Sequence, residues 1–132
     1  MPTIKNAELI ISTDRPADRA NVVVSCDVEF TEVEVNAMDL LGLKYTLTCQ
    51  VMNDYLLEDD QMLTFHPRRY PRNDEMARRH EHAVFEIQVS MDSLHERIFG
   101  KDKLAAQLTL RNEETGSEQT ARTEEIAVDL AA

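Results

Sequence analysis

Apolar and polar residues alternate along four long stretches of the chain. Val22, Val24, Cys26, Val28 and Phe30 share one parity, with Ser25, Asp27 and Glu29 between them. Leu43, Tyr45, Leu47, Cys49 and Val51 alternate with Lys44, Thr46, Thr48 and Gln50. Ala83, Phe85, Ile87, Val89 and Met91 alternate with Glu86, Gln88 and Ser90, and Leu104, Ala106, Leu108 and Leu110 with Gln107, Thr109 and Arg111. Successive side chains of an extended strand point to opposite faces, so each stretch predicts a strand with one buried face and one wet face. Leu47, Phe85, Ile87, Val89 and Leu108 are the expected centre of the core. Fainter strand patterns cover residues 4–12, 61–66 and 120–130. After Phe30 the apolar parity moves to Val33 and Val35, which predicts a bulge or a bend.

The punctuation fits antiparallel connections. TDRPAD (13–18) joins the first two strands, and NEETGSEQ (112–119) joins the last two, with Gly116 placed for a positive φ. No long helical period separates the strands, so parallel βαβ units are not expected. SLHERIFG (93–100) predicts a short helix, with Ser93 and Glu96 at capping-box spacing, Gly100 as its stop, and Leu94 and Ile98 facing the core. The expected fold is all-β: an antiparallel two-sheet β-sandwich of seven or eight strands, immunoglobulin-like or C2-like in general architecture, with one or two short helices in its loops. Such an architecture carries no function by itself. The length, 132 residues, suits one domain over residues 1–132.

Composition sharpens this picture. There are 25 acidic residues against 14 basic ones, for a net charge of −11. That balance repels polyanions and anionic membranes, so neither nucleic acid nor a membrane is an expected partner. With no Trp and only four Phe and three Tyr, the core is aliphatic. The N-terminus MPTIKNAELIIS has no apolar run of the secretory kind, and no stretch approaches the length of a membrane span. A cytoplasmic protein with reduced thiols is the expectation. Cys26 and Cys49 both fall at inward positions. If strand 22–30 paired with strand 43–51 in a register summing near 75, the two would lie opposite each other, and a disulfide would be possible if their Cα atoms came within ~6.8 Å. The alternative is two small buried hydrophobes, which the reducing context favours.

Few constellations of side chains carry chemistry. His66, His80 and His82 could converge on a transition metal if the loop between them folded back, although Arg78 and Arg79 would oppose a cation. Asp54, Asp59 and Asp60, with Glu58, form an acidic loop (54–60) that could supply part of a calcium shell, provided that a second loop supplied the rest. Neither pattern is specific, and no cofactor is expected. There is no G-x-S-x-G, P-loop, H-E-x-x-H or dinucleotide fingerprint, so an enzyme would need a site hidden from the linear sequence.

The most informative stretch is HPRRYPRNDEMARRHEH (66–82). It gathers five of the ten arginines and three of the four histidines. Five Arg against Asp74, Glu75 and Glu81 leave it at +2, and the rest of the chain at −13. Pro67 and Pro71 predict an extended loop without regular strand pairing. Residues 73–80 predict a short helix, with Asn73 as cap, acids in its first turn and Arg78, Arg79 and His80 in its last. Arg68, Arg69, Tyr70, Arg72, Arg78 and Arg79 are the candidate contact residues, because guanidinium groups pair bidentately with carboxylates and a Tyr offers a flat contact. The expected function is a non-catalytic interaction or assembly module. It would contact an acidic protein partner, or a second copy of itself, through this loop. A ligand- or metal-binding sandwich with calcium at 54–60 is the alternative, and a hidden enzyme the third reading.

Overall fold

A computed structural model describes residues 1–53, 60–73, 75–94 and 102–130. Among these the chain forms nine strands and one α-helix, in the order β1 (Thr3–Asp14), β2 (Arg19–Glu29), α1 (Glu32–Leu41), β3 (Tyr45–Asn53), β4 (Asp60–Thr64), β5 (Arg68–Tyr70), β6 (His80–Ser90), β7 (Asp102–Asn112), β8 (Glu118–Arg122) and β9 (Ile126–Val128). One sheet has the order β1-β2-β6. The other has the order β4-β3-β7-β8, with β5 beside β4 on the free edge of β3 and β9 beside β8 on that of β7. All pairings are antiparallel. The molecule is an all-β sandwich, as the alternation predicts.

The core lies between the two sheets. Val22, Val24, Cys26 and Val28 enter it from β2, Tyr45, Leu47, Cys49 and Val51 from β3, and Leu104, Ala106, Leu108 and Leu110 from β7. Phe65 packs on Phe85 across the sandwich, with ring centroids 5.6 Å apart. Ile87 and Val89 are only half-buried. They sit toward the end of an edge strand, where an open groove of about 290 Å³ runs between 64–68 and 85–87, so the packed centre lies nearer Ala83 and Phe85.

The turns follow their residues. Asp18 takes φ 52° in the β1–β2 connection, where its N–H donates to the Arg15 carbonyl at 3.0 Å. Gly116 takes φ 77° in the β7–β8 hairpin, closed by Asn112 N–H to the Ser117 carbonyl at 2.9 Å. The expected strand over 120–130 is instead two strands, β8 and β9, both paired with β7. Thr123 interrupts them: its hydroxyl accepts from Ala106 N–H at 2.8 Å and its own N–H donates to the Ala106 carbonyl at 2.9 Å. A side chain takes one backbone place in the ladder there, and the strand breaks around it.

Three further expectations change. The segment after Phe30 is not a bulge but the ten-residue helix α1. Thr31 caps it with a reciprocal box: Glu34 N–H donates to the Thr31 hydroxyl at 3.2 Å and Thr31 N–H to the Glu34 carboxylate at 2.7 Å. Gly42, at φ 73°, ends it. The helix carries the chain from one sheet to the other, so β2 and β3 never pair, and Cys26 and Cys49 enter the core from opposite sheets. The helix expected over 73–80 is absent: of its described residues, 75–78 have no regular structure and His80 begins β6. The backbone groups there bond outward, Ala77 N–H to the Asp39 carboxylate at 2.8 Å and the Arg79 carbonyl to Phe30 N–H at 2.7 Å. Strand pairing also survives between the two prolines, as the three residues of β5 fit between Pro67 and Pro71. Of the helix expected over 93–100, only a 3₁₀ turn over Met91–Ser93 and the buried Leu94 are described; residues 95–100 lie outside the described residues.

Candidate functional site

The register of β5 on β3 builds the site. Tyr70 pairs with Tyr45, Arg69 with Thr46 and Arg68 with Leu47. Leu47 faces the core, so Arg68 and Tyr70 lie on the inward side and Arg69 on the outward side. Tyr70 is buried, with its ring edge-on to Phe30 at 5.8 Å. Arg68 reaches across the sandwich. Its guanidinium lies 5.1 Å from the Phe85 ring centroid and donates to the Val84 carbonyl, so it latches β5 to the exposed edge of β6.

Beside this latch lies a groove of about 510 Å³, whose lining includes Lys44, Arg68, Arg69, Tyr70, Arg72 and Asn73 and, among the described residues, contains no acid. Arg69 is held 3.7 Å from the Glu113 carboxylate, which also accepts from the Thr46 hydroxyl. Among the described residues no carboxylate lies within ion-pair distance of Lys44 or Arg72, and both are exposed. The Tyr70 hydroxyl is buried without a hydrogen-bond partner among the described residues. Burial, and after it the Glu81 charge, pushes its pKa up to about 12, so it is a neutral hydroxyl at physiological pH.

Four of the six candidate contact residues therefore line one groove, and two do not. Arg78 lies 3.9 Å from Glu75, and the Arg79 side chain is exposed. Lys44, the fourth cation of the groove, is not among the sequence candidates. It is distant in the chain, and only the pairing of Tyr45 with Tyr70 brings it there. No local feature of the sequence marks it.

The histidines are otherwise engaged. On the outer face of the smaller sheet, His82 Nδ1 lies 2.7 Å from the Asp27 carboxylate and His80 Nδ1 3.6 Å from that of Glu29. Hydrogen bonds from Asn6 and then His82 hold Asp27 below the usual carboxylate range, and one from Lys5 does the same for Glu29. His66 is exposed at the far end of the loop. No group of three metal-ligating side chains occurs among the described residues. Asp54 and Asp59 of the acidic loop lie outside the described residues, as does Glu58; Asp60 opens β4 opposite Asn53.

Cys26 and Cys49 are free and buried. Burial pushes the Cys26 thiol up to about 11, and burial together with the charge that Cys26 would carry pushes the Cys49 thiol up to about 12. The thiolate is the reactive form. Neither cysteine should therefore react with N-ethylmaleimide in the native protein at neutral pH, and both should react after denaturation. Rapid native labelling, followed by mass spectrometry, would show that the inward placement is wrong.

No known family model matches the chain, and no curated protein matches it in sequence.

Proposed function

We propose that this protein is a non-catalytic interaction module whose cationic groove receives an acidic segment of a protein partner. The observation that supports this reading is the gathering of Lys44, Arg68, Arg69 and Arg72 around one concavity with no acid among its described lining residues, on a chain of net charge −11. Arg68 and Arg69 have internal partners, so among the described residues Lys44 and Arg72 are the groove cations without an ion-pair partner. An incoming carboxylate meets a planar fork at Arg72 and a mobile point charge at Lys44. The negative body repels polyphosphate backbones, which selects for a short acidic peptide that can enter the groove without lying along the whole surface. The immunoglobulin-like or C2-like description and a cytoplasmic location belong to the same proposal; two unoxidised buried thiols are compatible with a reducing compartment.

A fluorescent oligoglutamate peptide tests the groove. The wild type should bind it with an affinity that falls as salt rises, because exposed charges are screened over ~8 Å at physiological ionic strength. The double variant Lys44→Gln/Arg72→Gln should bind at least roughly tenfold more weakly, with a flatter salt dependence and unchanged thermal stability. Equal affinities and equal salt slopes for the two proteins would return the loop to a solvated connection.

A further inference from the structure

The smaller sheet is one strand narrower than the larger. The larger sheet has four strand positions, filled by β4 with β5, by β3, by β7, and by β8 with β9. The smaller has three, filled by β1, β2 and β6. At one side of the sandwich β1 lies against β7 and β8. At the other, among the described residues, no strand pairs with the free edge of β6. The groove of about 290 Å³ lies at that edge, between 64–68 and 85–87. Phe85 and the half-buried Ile87 form its apolar side.

The direction of the backbone groups on this edge follows from the register. Phe30 N–H donates to the Arg79 carbonyl at 2.7 Å, and Met91 N–H to the Asp18 carbonyl at 3.3 Å. Odd-numbered residues therefore bond toward the β2 side at both ends of β6, and the register between them is unbroken. Backbone groups alternate sides along an antiparallel strand. His82, Val84, Glu86 and Gln88 thus turn N–H and C=O to the open edge. The Arg68 guanidinium meets the Val84 carbonyl there, as this phase requires. Among the described residues, no other group bonds to that row.

We propose that the acidic partner segment adds beside β6 as an extended strand and completes the smaller sheet. This rests on the reading of the cationic groove and adds to it a bound form and a sequence pattern. The two grooves share Pro67 and Arg68 in their walls, so a chain entering at Lys44 and Arg72 continues past Arg68 toward Ile87. Along that path its backbone meets the unpaired row of β6, the contact on which strand addition depends. Its side chains alternate, and those turned toward the larger sheet set the specificity. One brings a carboxylate to Arg68, and the next on that face brings an apolar group to Phe85 and Ile87. Glu86 stands at the apolar end, so the acids of the segment belong at the Arg68 end. On binding, the guanidinium exchanges the Val84 carbonyl for the incoming carboxylate, and an N–H of the segment takes over the carbonyl. Without a partner, Arg68 covers the edge. A strand with no acid at that position displaces the cation without receiving it, which disfavours indiscriminate pairing.

The test uses the full chain and a fluorescent peptide, oligoglutamate followed by alternating Thr and Val. Hydrogen exchange, read by NMR, should slow at the Val84 and Glu86 amides by roughly tenfold or more on binding. Ala83 and Phe85, already bonded to β2, should change little. Two further peptides carry N-methyl groups on one or the other alternate set of backbone nitrogens in the Thr-Val half. Charge and side chains are the same in both, but only one set faces β6. One peptide should therefore bind at least about tenfold more weakly than the other. Salt-dependent binding with unchanged exchange at Val84 and Glu86, and equal affinities for the two methylated peptides, overturns strand addition and leaves the cationic groove standing. Absence of binding by oligoglutamate and by this peptide overturns both. Protection that appears on concentrating the protein alone, with a doubling of the 15.1 kDa mass, makes the occupant a second copy and overturns the proposal.

Discussion

Replacing Leu108 by Ala should lower the unfolding free energy by about 2–5 kcal/mol. Leu108 lies in the middle of β7, fully buried, between Cys49 on β3 and Ala121 on β8. Its side chain points at the smaller sheet, so truncation removes apolar surface from the centre of the interface and leaves a cavity. The smaller sheet that supplies the other half of this core, with the inward valines of β2, is held in a three-stranded ladder and has little freedom to collapse into the gap. Urea denaturation followed by circular dichroism measures the loss as a lower midpoint at constant slope. A midpoint equal to that of the wild type would mean that Leu108 faces solvent. Ile87→Ala should cost less than Leu108→Ala, because Ile87 is already half-exposed at the rim.

Asn53→Ala should cost about 1–3 kcal/mol, through polarity rather than volume. Asn53 ends β3 and is fully buried, as is Asp102 at the start of β7. The Asn53 side-chain amide donates to the Asp102 carboxylate at 2.9 Å and to the Leu94 carbonyl at 3.1 Å. It thereby ties together the ends of two central strands and the turn after β6. Alanine removes one donor from a carboxylate with no access to water and leaves a buried carbonyl short of the same amide. Both groups then carry a desolvation cost that water cannot offset. Chemical denaturation again supplies the measurement. A change within about 0.5 kcal/mol, the usual range for surface substitutions, would show that Asp102 is solvated or otherwise fully satisfied.

Part of the candidate site could be read in the sequence. The Pro-bounded arginines stand out against an acidic chain, and four of the six residues selected on that ground line the groove. Their individual roles could not be read. Arg68 looks like Arg69 in the sequence, yet one register step on β5 turns the first toward Phe85 and Val84 and the second toward Glu113. Side chains alternate with a period of two, so neighbouring arginines on one short strand have opposite surroundings. Lys44 was invisible for a different reason: nothing local connects it to residues 67–73.

The same division runs through the fold. Period-two alternation determines the four long strands and their inward faces, because burying one face of a strand demands apolar residues at every second position. Asp18 and Gly116 mark turns because the backbone needs a positive φ there, and Gly accepts it without strain. Helix α1 was hidden although Thr31, Glu34 and Gly42 announce its ends. Its apolar residues lie on both faces, so no single stripe appears, and the outward Val33, Leu40 and Leu41 disguise the inward Met38. Which sheet each strand joins was settled only by tertiary structure. β2 could satisfy its ladder with β3 as well as with β6, and the choice depends on α1 spanning the gap between sheets and on packing across the core. Local pattern decides whether a segment is a strand and which of its faces is dry. Partner and register, and with them the use of each arginine, follow from contacts between residues far apart in the chain.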